Sequence, residues 1–155
     1  MTGLGRSCFW LGLLIYVGSF WLTAVAGPGV WTLRPPSIAI WVIKAFIISL
    51  NYLHQSHIET FLGDLTPMNV SGMLNGWINP VFFLAMVFML VDKTPRLTRI
   101  FRYVDLCMVP LCWVALLYQH VYPREGYILW TAGILLVLFS RGLPWSPVRT
   151  GSTPS

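Results

Sequence analysis

A run of nineteen residues without a charged side chain, CFWLGLLIYVGSFWLTAVA (Cys8 to Ala26), most constrains what this chain can fold into. As an α-helix that rises about 1.5 Å per residue, it is long enough to cross a hydrocarbon core of about 30 Å. Ala24 to Ala26 resemble a signal-peptide cleavage site, but the length of the apolar region favours a retained anchor. Four more apolar segments follow: Ser37 to Leu53, Val70 to Val91, Val104 to Tyr122 and Tyr127 to Ser140.

Composition indicates the same class of protein. Of the 155 residues, 56% are hydrophobic and only 10% are charged, which is too little polar surface to cover the core of a soluble domain. The many Trp, Tyr and Phe rings suit the membrane–water boundary. We therefore predict an all-α integral membrane protein, a small bundle of five transmembrane helices. Residues 1–148 would form a single polytopic domain, and residues 149–155 a flexible polar tail.

The basic residues predict the orientation of this bundle. No Lys or Arg lies between Lys44 and Lys93, and then four occur within ten residues. Cytoplasmic loops are enriched in Lys and Arg, so loop 93–103 and the C-terminus are predicted to be cytoplasmic, with a bacterial inner membrane as the location. Residues 54–76 and the loop around His120 are then external.

The second apolar segment leaves an alternative open. If Ser37 to Leu53 spans, the chain has five spans and an external N-terminus, with eight of ten basic residues inside. If the segment is instead re-entrant or interfacial on the external face, four helices cross and the N-terminus is internal, which suits Arg6 and places seven of ten inside. Five spans are favoured because the segment is too apolar all round for an interfacial helix.

The stretch TPRLTRIFRYV predicts a short amphipathic helix on the cytoplasmic leaflet. Thr94 caps it and Pro95 takes its first position. Helical spacing puts Leu97, Ile100, Phe101 and Val104 on one face and turns Arg99 and Arg102 away from it. Anionic headgroups, or an acidic partner, would then be contacted by four basic residues: Lys93, Arg96, Arg99 and Arg102.

The three histidines are candidate ligands. His54 and His57 lie at i, i+3 where the second segment turns polar, and His120 ends the fourth segment on the same membrane face. A b-type haem takes one His from each of two helices, and imidazole also binds transition metals. No stronger ligand pattern accompanies them, so the sequence favours a hydrated helix end without a cofactor, with haem b or a transition metal as the alternative.

The motif NGWINP interrupts the third segment at Pro80. Either a helix from Val70 is kinked at Pro80, or residues 68–78 form a re-entrant turn and Asn79 caps a helix that begins at Pro80. A broken helix can bind ions at its freed backbone groups, although a packing kink is the more general explanation.

Motifs for catalysis are missing from the sequence. It contains no phosphate-binding loop, no nucleophile elbow and no run of intramembrane carboxylates, and Lys44 is the one charge that falls well inside a predicted span. The three cysteines read as small packing residues. We predict a non-enzymatic accessory, assembly or structural subunit of a larger membrane complex, with other membrane subunits and lipid, not nucleic acid, as partners. The alternatives are the haem- or metal-binding anchor of an electron-transfer complex and a stand-alone immunity-type membrane protein.

Overall fold

The structure, a computed structural model, describes residues 3–26, 43–44, 46–47, 50–51, 67–91, 94–118 and 120–142; the side chains of residues 26 and 67–72 lie outside this description. Four helices organise it: α1 (Gly3–Ser19), α2 (Pro67–Val91), α3 (Pro95–Tyr118) and α4 (Glu125–Phe139). Two two-residue strands, β1 (Val25–Ala26) and β2 (Tyr122–Pro123), pair antiparallel. The all-helical prediction is confirmed for this part of the chain.

Helices α1 and α4 pack against each other backbone to backbone. A Cβ atom added to Gly133 would lie 2.6 Å from the Tyr16 nitrogen, and one added to Gly12 would lie 2.9 Å from the Gly133 oxygen. The end of α1 meets the start of α4, where the Gly126 N–H donates to the Thr23 carbonyl at 2.9 Å. The two helices are therefore antiparallel, and their small residues permit the close approach that is common in membrane bundles.

Helices α2 and α3 form an antiparallel hairpin. The Thr98 hydroxyl donates to the Phe88 carbonyl at 3.2 Å, and the rings of Phe88 and Phe101 stack at 5.2 Å. Between this hairpin and the α1–α4 pair lies a core of large apolar side chains. Its fully buried members include Phe9, Ile78, Phe82, Met89, Ile134, Val137 and Leu138.

The contacts at one end of the bundle do not support five spans. The end of α1 adjoins the start of α4, and there the Tyr127 hydroxyl donates to Asn75, in the first half of α2. The chain thus leaves α1 and enters α2 at the same end. A single crossing by Ser37 to Leu53, as the five-span prediction requires, would put those two ends on opposite sides.

Two of the described helices are long and apolar enough to cross a membrane: Met73–Val91, within α2, and Pro95–Tyr118. Helices α1 and α4, with 17 and 15 residues, are shorter. By length and composition this is weak evidence for a membrane location, because a buried helix of a soluble protein passes the same test.

Helix α3 corrects the prediction of a separate amphipathic helix. Pro95 begins the helix as predicted, but the helix continues without a break to Tyr118. Arg99 is exposed, but Arg102, which was predicted to share its face, is buried. Leu97, Ile100 and Val104 are exposed on the outside of the bundle, whereas Thr98, Arg102 and Asp105 are buried.

Helix α2 likewise runs without a break through Pro80. The re-entrant turn over residues 68–78 is therefore wrong, and so is a helix start at Pro80 with Asn79 as its cap. Residues 68–78 are already helical, because neighbouring helices and side chains can satisfy the backbone groups that a proline frees inside a bundle.

Candidate functional site

The side-chain amide of Asn79 is the centre of a polar network inside the bundle. Its Oδ1 accepts two hydrogen bonds, from the Tyr16 hydroxyl at 2.7 Å and from the Trp130 indole Nε1 at 3.0 Å. These donors belong to α1 and α4, so one oxygen on α2 joins three helices. Buried hydroxyl and indole groups need such an acceptor, since leaving them unpaired in an apolar interior is costly.

A second layer of the network lies one helical turn away. The Tyr127 hydroxyl donates to Asn75 Oδ1 at 3.3 Å, and Asn79 Nδ2 donates to the Asn75 carbonyl at 3.3 Å. The i, i+4 spacing puts both asparagines on one face of α2. The Tyr127 ring also lies 5.0 Å from that of Trp130 and 5.4 Å from that of Trp113.

Pro80 follows the central asparagine of the network in the middle of α2. Proline has no N–H to donate and its ring opposes the carbonyl four residues earlier, which loosens this turn of α2. The Asn79 amide, bonded to the Asn75 carbonyl, adds a donor to the same stretch of backbone. The NGWINP motif lies inside α2, and its two asparagines bond to side chains of other helices instead of ending a helix.

Two arginines donate hydrogen bonds to carbonyls at helix C-termini, at the end of the bundle away from the Tyr127–Asn75 bond. Arg102 donates to the carbonyls of Leu138 and Gly142 at the C-terminus of α4, and Arg141 donates to the Met89 carbonyl near the C-terminus of α2. Helix C-termini carry unsatisfied carbonyls and partial negative charge, so a guanidinium there is stabilising.

This placement corrects one predicted lipid or partner contact. Arg102 is only 6% exposed and serves the interior of the bundle. Arg96 and Arg99 are exposed on α3 and can reach headgroups or a partner, which stays a prediction. Lys93 lies outside the described residues.

Asp105 is a buried residue that the sequence analysis did not single out. It lies in the middle of α3 with 0% of its surface exposed. Neither carboxyl oxygen has a hydrogen-bond partner among the described residues. The signal that could have found it is the seven-residue spacing of the buried face, which takes in Thr98, Arg102, Asp105, Val109, Cys112 and Leu116.

His120 has a conformational role in the structure. It is exposed and adopts φ 56°, the left-handed conformation that often ends a helix. The N–H of His120 donates to the Leu117 carbonyl at 3.0 Å and that of Val121 to the Leu116 carbonyl at 3.1 Å, which is the Schellman pattern. His54 and His57 lie outside the described residues. Within the described ranges no three metal-binding side chains cluster, and the haem or metal site stays a prediction.

The chemistry of the network is that of hydrogen bonding. Its members carry amide, phenol, indole and hydroxyl groups, and most of their hydrogen bonds run between helices. The members are Tyr16, Asn75, Asn79, Trp113, Tyr127, Trp130 and Thr131. Such groups orient helices and specify their register. The strongest candidate for chemistry that changes charge is Asp105.

No protein-family model, curated protein or solved structure matches this chain.

Proposed function

We propose that this chain is a non-enzymatic, multi-pass membrane protein that serves as an accessory, assembly or structural subunit of a larger membrane complex. The observation that carries the proposal is the distribution of polar and apolar side chains. Hydrogen-bonded polar groups lie inside the bundle, while large apolar side chains cover the outside of all four helices. The exposed set includes Trp10, Leu14, Phe83, Leu90, Val114, Leu117 and Ile128.

The energetics of that outer surface favour lipid as its solvent. Leu14 is 70% exposed and Trp21 69% exposed. Leaving one large apolar side chain in water forgoes about 1.5–3 kcal/mol relative to burying it, and the outer surface carries many such residues. In a bilayer this cost disappears, whereas interior polar groups must find partners within the protein, as Asn79 does.

The ends of the helices support the proposal of a four-crossing topology. The start of α1, the start of α3 and the end of α4 lie at one end of the bundle, and five of the described basic residues belong to them: Arg6, Arg96, Arg99, Arg102 and Arg141. By the positive-inside rule this end is cytoplasmic, and we place the protein in a bacterial inner membrane. Most of the segment Ser37 to Leu53 lies outside the described residues, and a re-entrant or interfacial course for it stays a prediction. Its described Phe46 has its ring 5.1 Å from that of Trp77 on α2.

The role as a subunit is supported by where the protein uses its polar groups. The network around Asn79 is occupied in holding α1, α2 and α4 together. The outer surface of the bundle is therefore the part of the protein that can contact a partner. On α1, exposed residues with alternating three- and four-residue spacing form a stripe that suits packing against another membrane helix. The stripe consists of Leu4, Ser7, Leu11, Leu14 and Gly18.

Thiol labelling in intact cells tests the topology. With Cys8, Cys107 and Cys112 replaced by alanine, a cysteine at Gly3 or at Arg99 should resist a membrane-impermeant reagent. A cysteine at Glu125, at the other end of the bundle, should react. Labelling of Gly3→Cys from outside, with Arg99→Cys protected, would restore the five-span arrangement and refute the four-crossing one.

Purification in mild detergent tests the subunit role. The full chain should co-purify with a defined membrane protein, and tagging that protein should recover this chain in return. A photo-crosslinking amino acid at Leu14 should reach the partner, whereas one at Val114, equally apolar and exposed but on α3, serves as the matched control. Recovery of the chain alone, with crosslinks to lipid only, would favour a stand-alone immunity-type protein instead.

A further inference from the structure

We propose that Asp105 is a proton-binding site inside the bundle, and that its charge decides whether Arg102 contacts α4 or Asp105. The inference depends on the geometry of the bundle and not on the accessory role, so the two can fail separately. Asp105 lies ten residues after Pro95, about 15 Å along a helix of 24 residues. It is therefore near mid-depth.

The surroundings of Asp105 disfavour a charged carboxylate. The side chain is fully buried, and neither oxygen accepts a hydrogen bond from a described residue. A carboxylate removed from water without partners is very unfavourable, and such a group takes up a proton instead. In membrane bundles a buried ionisable residue of this kind most often marks a functional site.

The charged and titratable groups around Asp105 come from three elements. On its own helix Arg102 precedes it by three residues and Cys112 follows on the same buried face. From α1 comes Tyr16. From the α4 side comes Arg141, which follows α4 and lies near Arg102. The described side chains of α2, residues 73–91, include no charged residue.

Arg102 is the group that can respond to the charge. It shares the buried face of α3 with Asp105 at i, i+3 spacing, the distance at which opposite charges pair on a helix. Nevertheless its guanidinium donates to the Leu138 and Gly142 carbonyls, and its Nε has no hydrogen-bond partner among the described residues. This arrangement fits an uncharged Asp105.

Loss of the proton from Asp105 reverses the preference of Arg102 for the carbonyls at the end of α4. When Asp105 releases its proton to bulk water, its carboxylate attracts the guanidinium of Arg102, three residues away. The carboxylate is then a better partner for Arg102 than the carbonyls at the end of α4. The carbonyls at the end of α4 then lose their donor. The proton bound at Asp105 thus holds the C-terminus of α4 against α3.

Infrared spectroscopy of the full chain in detergent or lipid tests the proton site. A protonated carboxyl C=O band should be present at neutral pH, persist in Glu125→Gln, whose carboxylate is exposed, and vanish in Asp105→Asn. If Asp105→Asn does not fold, ¹³C-aspartate labelling of the unmutated protein must shift the same band. A spectrum without such a band, or a band unaffected by both changes, overturns the proposal.

Hydrogen exchange tests the response of Arg102. At a pH high enough to remove the carboxyl band, amides of residues 138–142 should exchange faster in the unmutated protein than in Asp105→Asn at the same pH. At neutral pH the two proteins should match. Equal exchange at both pH values would refute the coupling to α4.

Discussion

The hydroxyl of Tyr16 and the side-chain oxygen of Asn79 lie 2.7 Å apart although 63 residues separate them in the sequence. Trp130 donates to the same oxygen from a third helix. Three helices whose outer faces are all apolar are thus held in one register by one amide. Non-directional apolar contacts alone would allow the helices to slide, whereas this acceptor has one position in which both donors reach it.

Replacement of Asn79 by leucine should destabilise the bundle. The Tyr16 hydroxyl and the Trp130 indole would lose their acceptor inside an apolar interior, and we expect the free energy of unfolding to fall by about 1–3 kcal/mol. Unfolding in mixed detergent micelles measures this. Phe83→Leu, at an exposed position of the same helix, is the control and should change stability by less than about 0.5 kcal/mol. Equal effects of the two variants would contradict the role given to Asn79.

The contact between α1 and α4 predicts that Gly133 cannot be replaced even by alanine. The new Cβ would lie 2.6 Å from the backbone nitrogen of Tyr16, so the helices must separate. We expect a lower midpoint of thermal unfolding. Gly18→Ala is the matched control, because nothing lies within 4 Å of its added Cβ, and it should raise helix stability by about 0.5–1 kcal/mol. A tolerated Gly133→Ala would mean that the helices pack less closely.

The conformation of His120 predicts a stabilising substitution. A residue with φ 56° is strained unless it is glycine, so His120→Gly should increase the free energy of unfolding by up to about 1 kcal/mol. Thermal unfolding followed by circular dichroism measures the change. His120→Val should lower stability, because a β-branched side chain tolerates this conformation poorly. If His120→Gly instead releases a stoichiometric metal or abolishes a haem absorption band, the ligand hypothesis replaces this one.

Substitutions of Arg99 and Arg102 should differ in their effects on stability and on lipid binding. Arg102→Met removes the donors to the end of α4 and should reduce the free energy of unfolding by about 1.5–3 kcal/mol, the value of hydrogen bonds from charged groups. Arg99→Met, at an exposed position, should leave stability nearly unchanged and weaken binding to anionic lipid by about 1 kcal/mol. Micelle unfolding and vesicles of varied anionic lipid content separate the two effects. If Arg102→Met instead weakened lipid binding and left stability unchanged, Arg102 would be a lipid contact and not a residue of the interior.

The sequence by itself determined the helical class of the fold and most of its helices. Uncharged apolar runs long enough to span a bilayer allow few structures besides helices, because backbone groups in lipid must bond within their own segment. Pro95 marks the start of α3 for an equally local reason, since proline suits the first helical position. Local signals of this kind need no knowledge of the rest of the fold.

The tertiary structure alone decided which face of each helix turns inward. On α3 large apolar residues such as Ile100, 54% exposed, lie outside while Arg102 and Asp105 lie inside, so hydrophobic periodicity could not tell inside from outside. The buried positions of Arg102 and Asp105 and the acceptor role of Asn79 depend on partners on other helices. The direction of α1 also follows from contacts between distant residues, such as Gly126 with Thr23. In a bundle whose outer surface is as apolar as its interior, long-range polar contacts select the arrangement, and a single sequence does not display them.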